Sequence, residues 1–494
     1  MALHLSKSKY CNAVQCPKML WLNKYKREEF DESVMNQAVL ETGNEVGDLA
    51  MGLLGEYVEV PFGDLGDMIA ETQRLIDEGT PIIAEASFSF DGLFCSVDIL
   101  KNKGNGHVEI YEVKSSTKLS EIYLHDVSYQ QYVLEGLGYK VDGAKLVHIN
   151  PNYIRHGELN LNELFVINDI KLDTDMLQSN VRNYIPELER IMADGIEPEM
   201  PVGCHCHTPY TCGFFDYCTG HLEHPNVFDI SRLGFDKKIN FYNDGDYTFE
   251  HLAKRKEIKG NQRLQVESHL SGQGTINPKE IAKLLDTLSF PLYFLDFETS
   301  QEAIPPFDNT TPYEQIPFQY SLHWLDSPDG RVKHTEFLAY AGSDPRRALA
   351  EKLCADIPLD VCTTAYNMSF EKNVIKKLAG IYPDLADHLM NIHDNMKDLM
   401  VPFQKKHYYL PEMQGSYSIK YVLPALYPDE PSLDYHNLDG IQKGDQAANA
   451  FSAMKHMTPE EVEKTRSQLL AYCKLDTFAM VKLWEKLNET VNNI

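Results

Sequence analysis

Asp296 and Glu298 stand two residues apart in Pro-Leu-Tyr-Phe-Leu-Asp-Phe-Glu-Thr-Ser, residues 291–300. The apolar run reads as a buried strand, and alternation along a strand points both carboxylates to one side. Carboxylates beside an apolar run are costly to desolvate unless a cation or hydrogen bonds relieve them. Hard divalent cations, which prefer oxygen ligands, do so. A lone Asp-x-Glu also ends many strands without any ion, so the pair needs partners elsewhere. Glu371 offers one, in Asn-Met-Ser-Phe-Glu (367–371), after a strand and turn. Tyr472 and Asp476 are four apart and share a helix face. Thr-Pro-Glu-Glu (458–461) marks the start of that helix as a capping box with Pro in its first turn. Leu469, Cys473, Met480 and Trp484 supply its apolar stripe.

A second constellation lies nearer the N-terminus. Asp98 sits in Phe-Cys-Ser-Val-Asp-Ile-Leu (94–100), and Glu112 and Lys114 in Glu-Ile-Tyr-Glu-Val-Lys (109–114). Gln130 follows on a helix, in Asp-Val-Ser-Tyr-Gln-Gln-Tyr (126–132). Two carboxylates can hold a divalent ion, while an adjacent ammonium orients water and stabilises charge developing on a phosphoryl group. In isolation, Glu112 and Lys114 read first as an ion pair on a solvated strand, and only their order with Asp98 and Gln130 shifts that reading.

Ten cysteines are present, and Cys204, Cys206, Cys212 and Cys218 crowd into one short segment. In a cytosolic chain that crowding means a metal or cluster more often than disulfides. Zinc suits four local cysteines with His205 and His207 beside them, although the two-residue loops of zinc ribbons are missing. An iron–sulfur cluster with one remote ligand is the alternative. Cys11, Cys95, Cys354, Cys362 and Cys473 read as small buried apolar residues.

The elements that must position these residues follow from the pattern. Strands are expected at 57–60, 82–90, 93–100, 107–114 and 143–150, with a helix over about 33–54 and Ser6 capping a shorter one. Residues 222–288 show short helical patterns broken at Gly234, Gly245, Gly260 and Gly272, with a basic patch over 251–259. That stretch reads first as a solvated helical linker joining two domains, with a small nucleic-acid-binding module as the alternative. Beyond it come a meander (strands near 291–300, 318–324 and 335–338), a helix at 345–355, a strand–turn–helix from 361, and the long final helix.

The chain of 494 residues is long enough for two to four domains. A formal charge of −27, from 46 basic and 73 acidic residues, argues against a protein that coats polyanions, yet leaves room for a local basic groove. No run is apolar enough to span a bilayer, and the opening Met-Ala-Leu-His-Leu-Ser-Lys lacks a signal-peptide core, so a cytoplasmic protein without membrane contact is expected.

The order Asp98, Glu112-x-Lys114, then Gln130 resembles the RecB-like branch of the PD-(D/E)XK nucleases. That resemblance implies metal ligation by Asp98 and Glu112, with Glu85 assisting, and catalysis by Lys114 and Gln130. Many members carry a His on an early helix; here the matching stretch is Thr-Gly-Asn-Glu-Val-Gly-Asp (42–48), and Glu45 is the substitute. Iron–sulfur members place one Cys in a Cys-Pro-Arg-like turn before the nuclease core and three after it. The match Cys16-Pro-Lys implies a [4Fe–4S] cluster on Cys16, Cys206, Cys212 and Cys218, with Cys204 in reserve and zinc as the alternative. The order Asp296-x-Glu298, Glu371, then Tyr472-x-x-x-Asp476 resembles the tyrosine class of DnaQ-like exonucleases of the RNase H fold. This implies two Mg²⁺ or Mn²⁺ ions, about 4 Å apart, held by Asp296, Glu298, Glu371 and Asp476, with Tyr472 orienting water. The family usually has Asp where Glu371 stands, so Asp398 is a fallback ligand; Lys420 reads as structural.

The expected architecture is therefore an α/β multidomain chain. It comprises a RecB-like PD-(D/E)XK region (1–221), a helical linker (222–288) and a DnaQ-like RNase H-fold region (289–494). The whole order resembles a bacterial family joining these two regions. The expected function is metal-dependent hydrolysis of single-stranded DNA or RNA, 3′→5′, in repair or defence. The alternatives are a catalytically degenerate nucleic-acid-binding scaffold and a zinc-stabilised RNA-processing nuclease.

Overall fold

Alternating residues between 82 and 114 form three successive antiparallel strands in the computed structural model, which describes residues 5–34 and 37–492. Asp91 and Gly92 both take positive φ between the first two, the requirement of the tight hairpin turn whose twist matches the strands. In chain order the strands are β1 (Leu5–Ser6), β2 (Val58–Glu59), β3 (Ile82–Phe90), β4 (Leu93–Gly104), β5 (His107–Lys114), β6 (Lys140–Ile149) and β7 (Phe165–Asp169). Among the described residues they make one mixed sheet, ordered β2-β3-β4-β5-β6-β7, with β1 added in parallel to β4. β5 and β6 are parallel, as the helix Glu121–Gly136 between them allows. That helix, with the helices Lys7–Gln15, Pro17–Tyr25 and Lys171–Ala193, closes an apolar core that includes Tyr10, Ile110, Tyr129 and Leu188. A second apolar cluster joins Val46, Ile99, Tyr111 and Val147 to Ala303. Val46 lies on the helix Gln37–Met51; the expected start of that helix near residue 33 runs through residues 35 and 36, which lie outside the described residues, as do residues 1–4.

The chain divides into two compact units: Met1–Leu222 with Glu302–Tyr313, and Glu223–Gln301 with Glu314–Ile494. The stretch expected as a linker is thus grouped with the second unit, where it has its own apolar cluster of Val227, Ile230, Phe241, Phe249, Leu252, Ile258 and Val266. Its helices Phe235–Asn243 and Gly260–Ser271 begin or end at the expected glycines; Gly272 takes the left-handed conformation that ends the second. Arg255, in the basic patch, is paired with Asp244 and Asp246.

The second unit continues with β8 (Thr275–Ile276), β9 (Leu292–Ser300), β10 (Ile316–Leu325), β11 (Lys333–Leu338), β12 (Cys362–Ala365), β13 (Met396–Asp398) and β14 (Tyr408–Tyr409). Its main sheet is ordered β11-β10-β9-β12-β13, antiparallel on the first side of β9 and parallel on the other; β8 and β14 form a separate pair. β9 is buried on both faces, and alternation sorts its residues. Tyr293, Leu295 and Phe297 join a cluster with Leu349, Val374 and Leu389 from the helices Arg346–Asp356, Met368–Ile381 and Ala386–Asp394. Leu292 and Phe294 pack instead on Met480, Val481 and Trp484 of the final helix Pro459–Asn492. Asp296 and Glu298 continue the parity of Leu292 and Phe294, which turns them toward that helix. Among the described residues, no helix is long and apolar enough to cross a membrane.

Candidate functional site

The final helix meets Asp296 and Glu298 with residues one to two turns before its apolar stripe at Met480. Asp296, Glu298 and Cys473 bring ligand atoms within 4.8 Å of one another, a grouping able to hold a metal ion. The Cys473 thiol lies 3.9 Å from Asp296 Oδ2. Asp476 is one turn on; its carboxylate accepts a 2.6 Å hydrogen bond from the Tyr435 hydroxyl and another from Tyr472. Tyr472 also approaches Glu298: a Cβ built on Gly444 would lie 3.7 Å from Glu298 Oε2 and 3.9 Å from the Tyr472 hydroxyl. Gly444 begins the helix Gly444–Ala453, whose N-terminus thereby comes up to these two groups without a side chain between.

Glu371 enters from the first turn of Met368–Ile381 and is almost fully buried. Its Oε2 has no hydrogen-bond partner among the described residues. Asp398, the sequence alternative, is already engaged: its Oδ1 accepts from the Asn367 amide at 3.1 Å and the Met400 amide at 2.9 Å. Asn367 holds a left-handed conformation (φ 78°) immediately before the Glu371 helix, so Asp398 fixes the turn that aims Glu371.

Burial and mutual repulsion dominate the electrostatics. Burial pushes the Asp296 and Glu298 carboxyls well above the usual carboxylate range, and neighbouring acids, Asp476 for both, add to the shift. Burial and Asp296 do the same to Glu371. Asp476 is raised by burial to about 6, held back by its tyrosine hydrogen bonds and by Lys420. Lys420 donates to the Gln442 carbonyl at 2.9 Å and lies 5.3 Å from the ring centres of both Tyr435 and Tyr472. None of the four acids shares an ion pair with a lysine or arginine among the described residues. An oxygen-rich cluster carrying this repulsion is what a divalent cation relieves.

The first unit brings Asp98, Glu112, Lys114 and Gln130 together differently. Lys114 Nζ donates at 2.6 Å to Glu112 Oε1 and at 2.6 Å to Asp126 Oδ2. The Gln130 amide bridges Glu112 Oε2 (2.7 Å) and Asp126 Oδ1 (3.1 Å). Asp98 Oδ2 accepts from the Val113 amide at 2.7 Å, where β4 and β5 have parted beyond the pair Ile99 and Tyr111. Lys7, from the first turn of Lys7–Gln15, reaches Glu112 at 2.9 and 3.1 Å and Asp98 at 3.4 Å. Burial raises Glu112 to about 7, with Asp126 and Asp98 adding to it against Lys114 and Lys7. Burial also opposes the charge on Asp126, but Lys114 and Lys7 outweigh it and hold this acid well below the usual range. Glu85, on β3, has φ 54° within a strand, and burial raises it to about 7, with Asp98 contributing. Glu45 is exposed on Gln37–Met51.

Cys16, Cys206, Cys212 and Cys218 line one small cavity with Lys18, Met19, Met200, His205 and Phe215. All four are free thiols, and burial raises each of them. Cys204 is exposed and does not line the cavity. Four thiols around one cavity form a donor set suited to a thiolate-bound metal or cluster.

Residues 293–418 match a domain family described only as a domain of unknown function, DUF2779. A stretch of 208 residues is 26% identical to an uncharacterized protein of Ureaplasma parvum, covering 38% of this chain and 30% of that one. An uncharacterized protein of Mycoplasma genitalium is 28% identical over 211 residues, 38% of this chain and 31% of its own. Its homologue in Mycoplasma pneumoniae is 27% identical over 470 residues, 81% of this chain and 70% of the relative. The chain thus spans under a third of the first two relatives. No solved structure matches.

Sequence reasoning passed over Lys7, Asp126, Tyr435 and Cys473, and took Lys420 as structural. Asp126 was detectable, being one turn before Gln130 and so on the same helix face. Cys473 had the same signal, adjacent to Tyr472, but its type suggested core. Lys7 and Tyr435 reach their sites through tertiary placement alone.

Proposed function

We propose that the second unit is a divalent-metal-dependent phosphodiesterase acting on single-stranded DNA or RNA. One observation carries this reading: Asp296, Glu298, Glu371 and Asp476, from a strand and two helices, form an acidic cluster, buried except for a partly exposed Asp296, whose mutual repulsion no ion pair relieves among the described residues. The order of these residues, and a mixed sheet with the final helix on one face, support the resemblance to DnaQ-like exonucleases of the RNase H fold. The donor set fits Mg²⁺ or Mn²⁺, which would be held by the four carboxylates. Bound there, such ions would lower the pKa of a coordinated water and neutralise charge on the scissile phosphate. Tyr472, hydrogen-bonded to Asp476 and close to Glu298, would orient the attacking water. Lys420 offers positive charge to the same edge of the cluster. Attack from the 3′ end, releasing mononucleotides in DNA repair or defence, follows by analogy of fold.

For the first unit, the resemblance to RecB-like PD-(D/E)XK nucleases is supported by the convergence of Asp98, Glu112, Lys114 and Gln130. The four-thiol cavity supports a [4Fe–4S] cluster, with zinc as the alternative.

Hydrolysis of the p-nitrophenyl ester of thymidine 5′-phosphate tests the reading for the second unit. With Mn²⁺, wild type releases p-nitrophenolate and Asp296→Asn does not. Binding of oligonucleotides without cleavage of either the ester or an oligonucleotide overturns the enzyme in favour of a scaffold.

A further inference from the structure

We propose that the Lys7 ammonium takes the place of a divalent cation between Asp98 and Glu112, making the acidic cluster of the first unit an internally ion-paired site that excludes Mg²⁺ and Mn²⁺. An ionised carboxylate offers about four lone-pair positions. Glu112 receives four contacts from nitrogen donors: Lys7 (2.9 Å) and Lys114 (2.6 Å) on Oε1, Lys7 (3.1 Å) and Gln130 (2.7 Å) on Oε2. The contacts of Asp98 are Lys7 (3.4 Å) on Oδ1 and the Val113 amide (2.7 Å) on Oδ2. The ammonium thus bridges the two acids as a ligated cation would. An ion bound to both must displace it.

The position of Lys7 is built. Leu5 and Ser6 pair with Leu93 and Phe94 of β4, Leu5 is fully buried, and the Tyr129 hydroxyl donates to the Leu5 carbonyl at 2.5 Å. Ser6 caps the helix that Lys7 begins, accepting from the Lys9 amide at 3.4 Å, and that helix leads directly into Cys16 of the thiol cavity. Lys7 therefore enters the site from an anchored backbone, with only about a fifth of its side chain exposed (22%). The second unit offers the contrast, since there the acids have no lysine between them among the described residues.

The inference does not rest on the activity proposed above, because its readout is metal binding. The probe is Mn²⁺ alone, titrated by the electron paramagnetic resonance signal of the free ion. The full chain carries Asp296→Asn and Glu298→Gln to weaken the other cluster. With Lys7 present, adding Asp98→Asn is expected to change nothing. Lys7→Met is expected to add one bound ion per chain, lost again when Asp98→Asn is combined with it, and Lys7→Arg adds none. An Asp98-dependent ion in the chain that keeps Lys7 overturns the proposal. So does a folded Lys7→Met chain that gains no ion. Should Lys7→Met fail to fold by circular dichroism, the pair with Lys7 intact decides alone: an ion lost with Asp98→Asn overturns the proposal, and equal binding supports it.

Discussion

Glu371 and Asp398 compete, in sequence, for the acidic position opposite Asp296, and the hydrogen bonds separate them. Asp398 satisfies two backbone amides; Glu371 leaves an oxygen buried without a partner among the described residues. Glu371→Gln should therefore lower phosphodiesterase activity by about a hundredfold or more while leaving thermal stability near wild type. Asp398→Ala should cost about 1–3 kcal/mol of stability by stranding buried amides, read by chemical denaturation. The reverse pattern would make Asp398 the ligand. Asp476 gives a pH dependence with a defined sign. Its carboxyl is raised from 3.8 to about 6 in the folded, metal-free chain, so the native state holds a proton that the unfolded state has released. Stability from this group is full below pH 3.8 and is lost as pH rises through about 6. The difference in melting temperature between Asp476→Asn and chelated wild type should grow from pH 4 to pH 7, in favour of the variant. A difference independent of pH would contradict the assignment.

Elements with strong periodicity were legible. The run 291–300 became β9, and the capping signal at Thr458 marks the start of the long final helix, because each carries its pattern locally. The relation between them was legible only in part. Parity showed that Asp296 and Glu298 share a side, but only packing revealed that Met480 and Trp484 fix this side against the Tyr472 and Asp476 helix. The irregular segment bearing Tyr435 has no period and gave no signal. For the thiol cavity, Cys16 was joined to the later cysteines by family resemblance, and the fold places these four together while leaving Cys204 outside. Metal analysis by mass spectrometry should show iron or zinc in wild type and Cys204→Ser, and loss of about half or more in Cys206→Ser, with a lower melting temperature as ligation and folding are coupled. Equal loss in Cys204→Ser would contradict the ligand set.

At the scale of the whole molecule, the two units are not consecutive in sequence. Glu302–Tyr313 belongs to the first unit, where Ala303 joins Val147, Ile149 and Tyr153 in an apolar cluster and Arg155 donates to the Pro305 and Pro306 carbonyls at 2.9 and 3.1 Å. Sequence reasoning missed this, since an excursion of twelve residues has no signature of its own. A fragment ending at Leu222 should then unfold at lower denaturant than the same unit in the intact chain, because the cluster loses one wall. Equal midpoints would contradict the division. The formal charge of −27 belongs to this scale too: it disfavours adsorption of nucleic acid over the whole surface, so the proposed activity requires local features such as the Lys420 edge of the cluster.

The measurement that tests the central claim most directly is cleavage of 5′-labelled single-stranded DNA and RNA with Mn²⁺ by wild type, Asp296→Ala and Lys114→Ala. The account predicts a ladder shortening from the 3′ end that survives Lys114→Ala and disappears in Asp296→Ala. Cleavage lost in Lys114→Ala and kept in Asp296→Ala would contradict it and move the activity to the first unit.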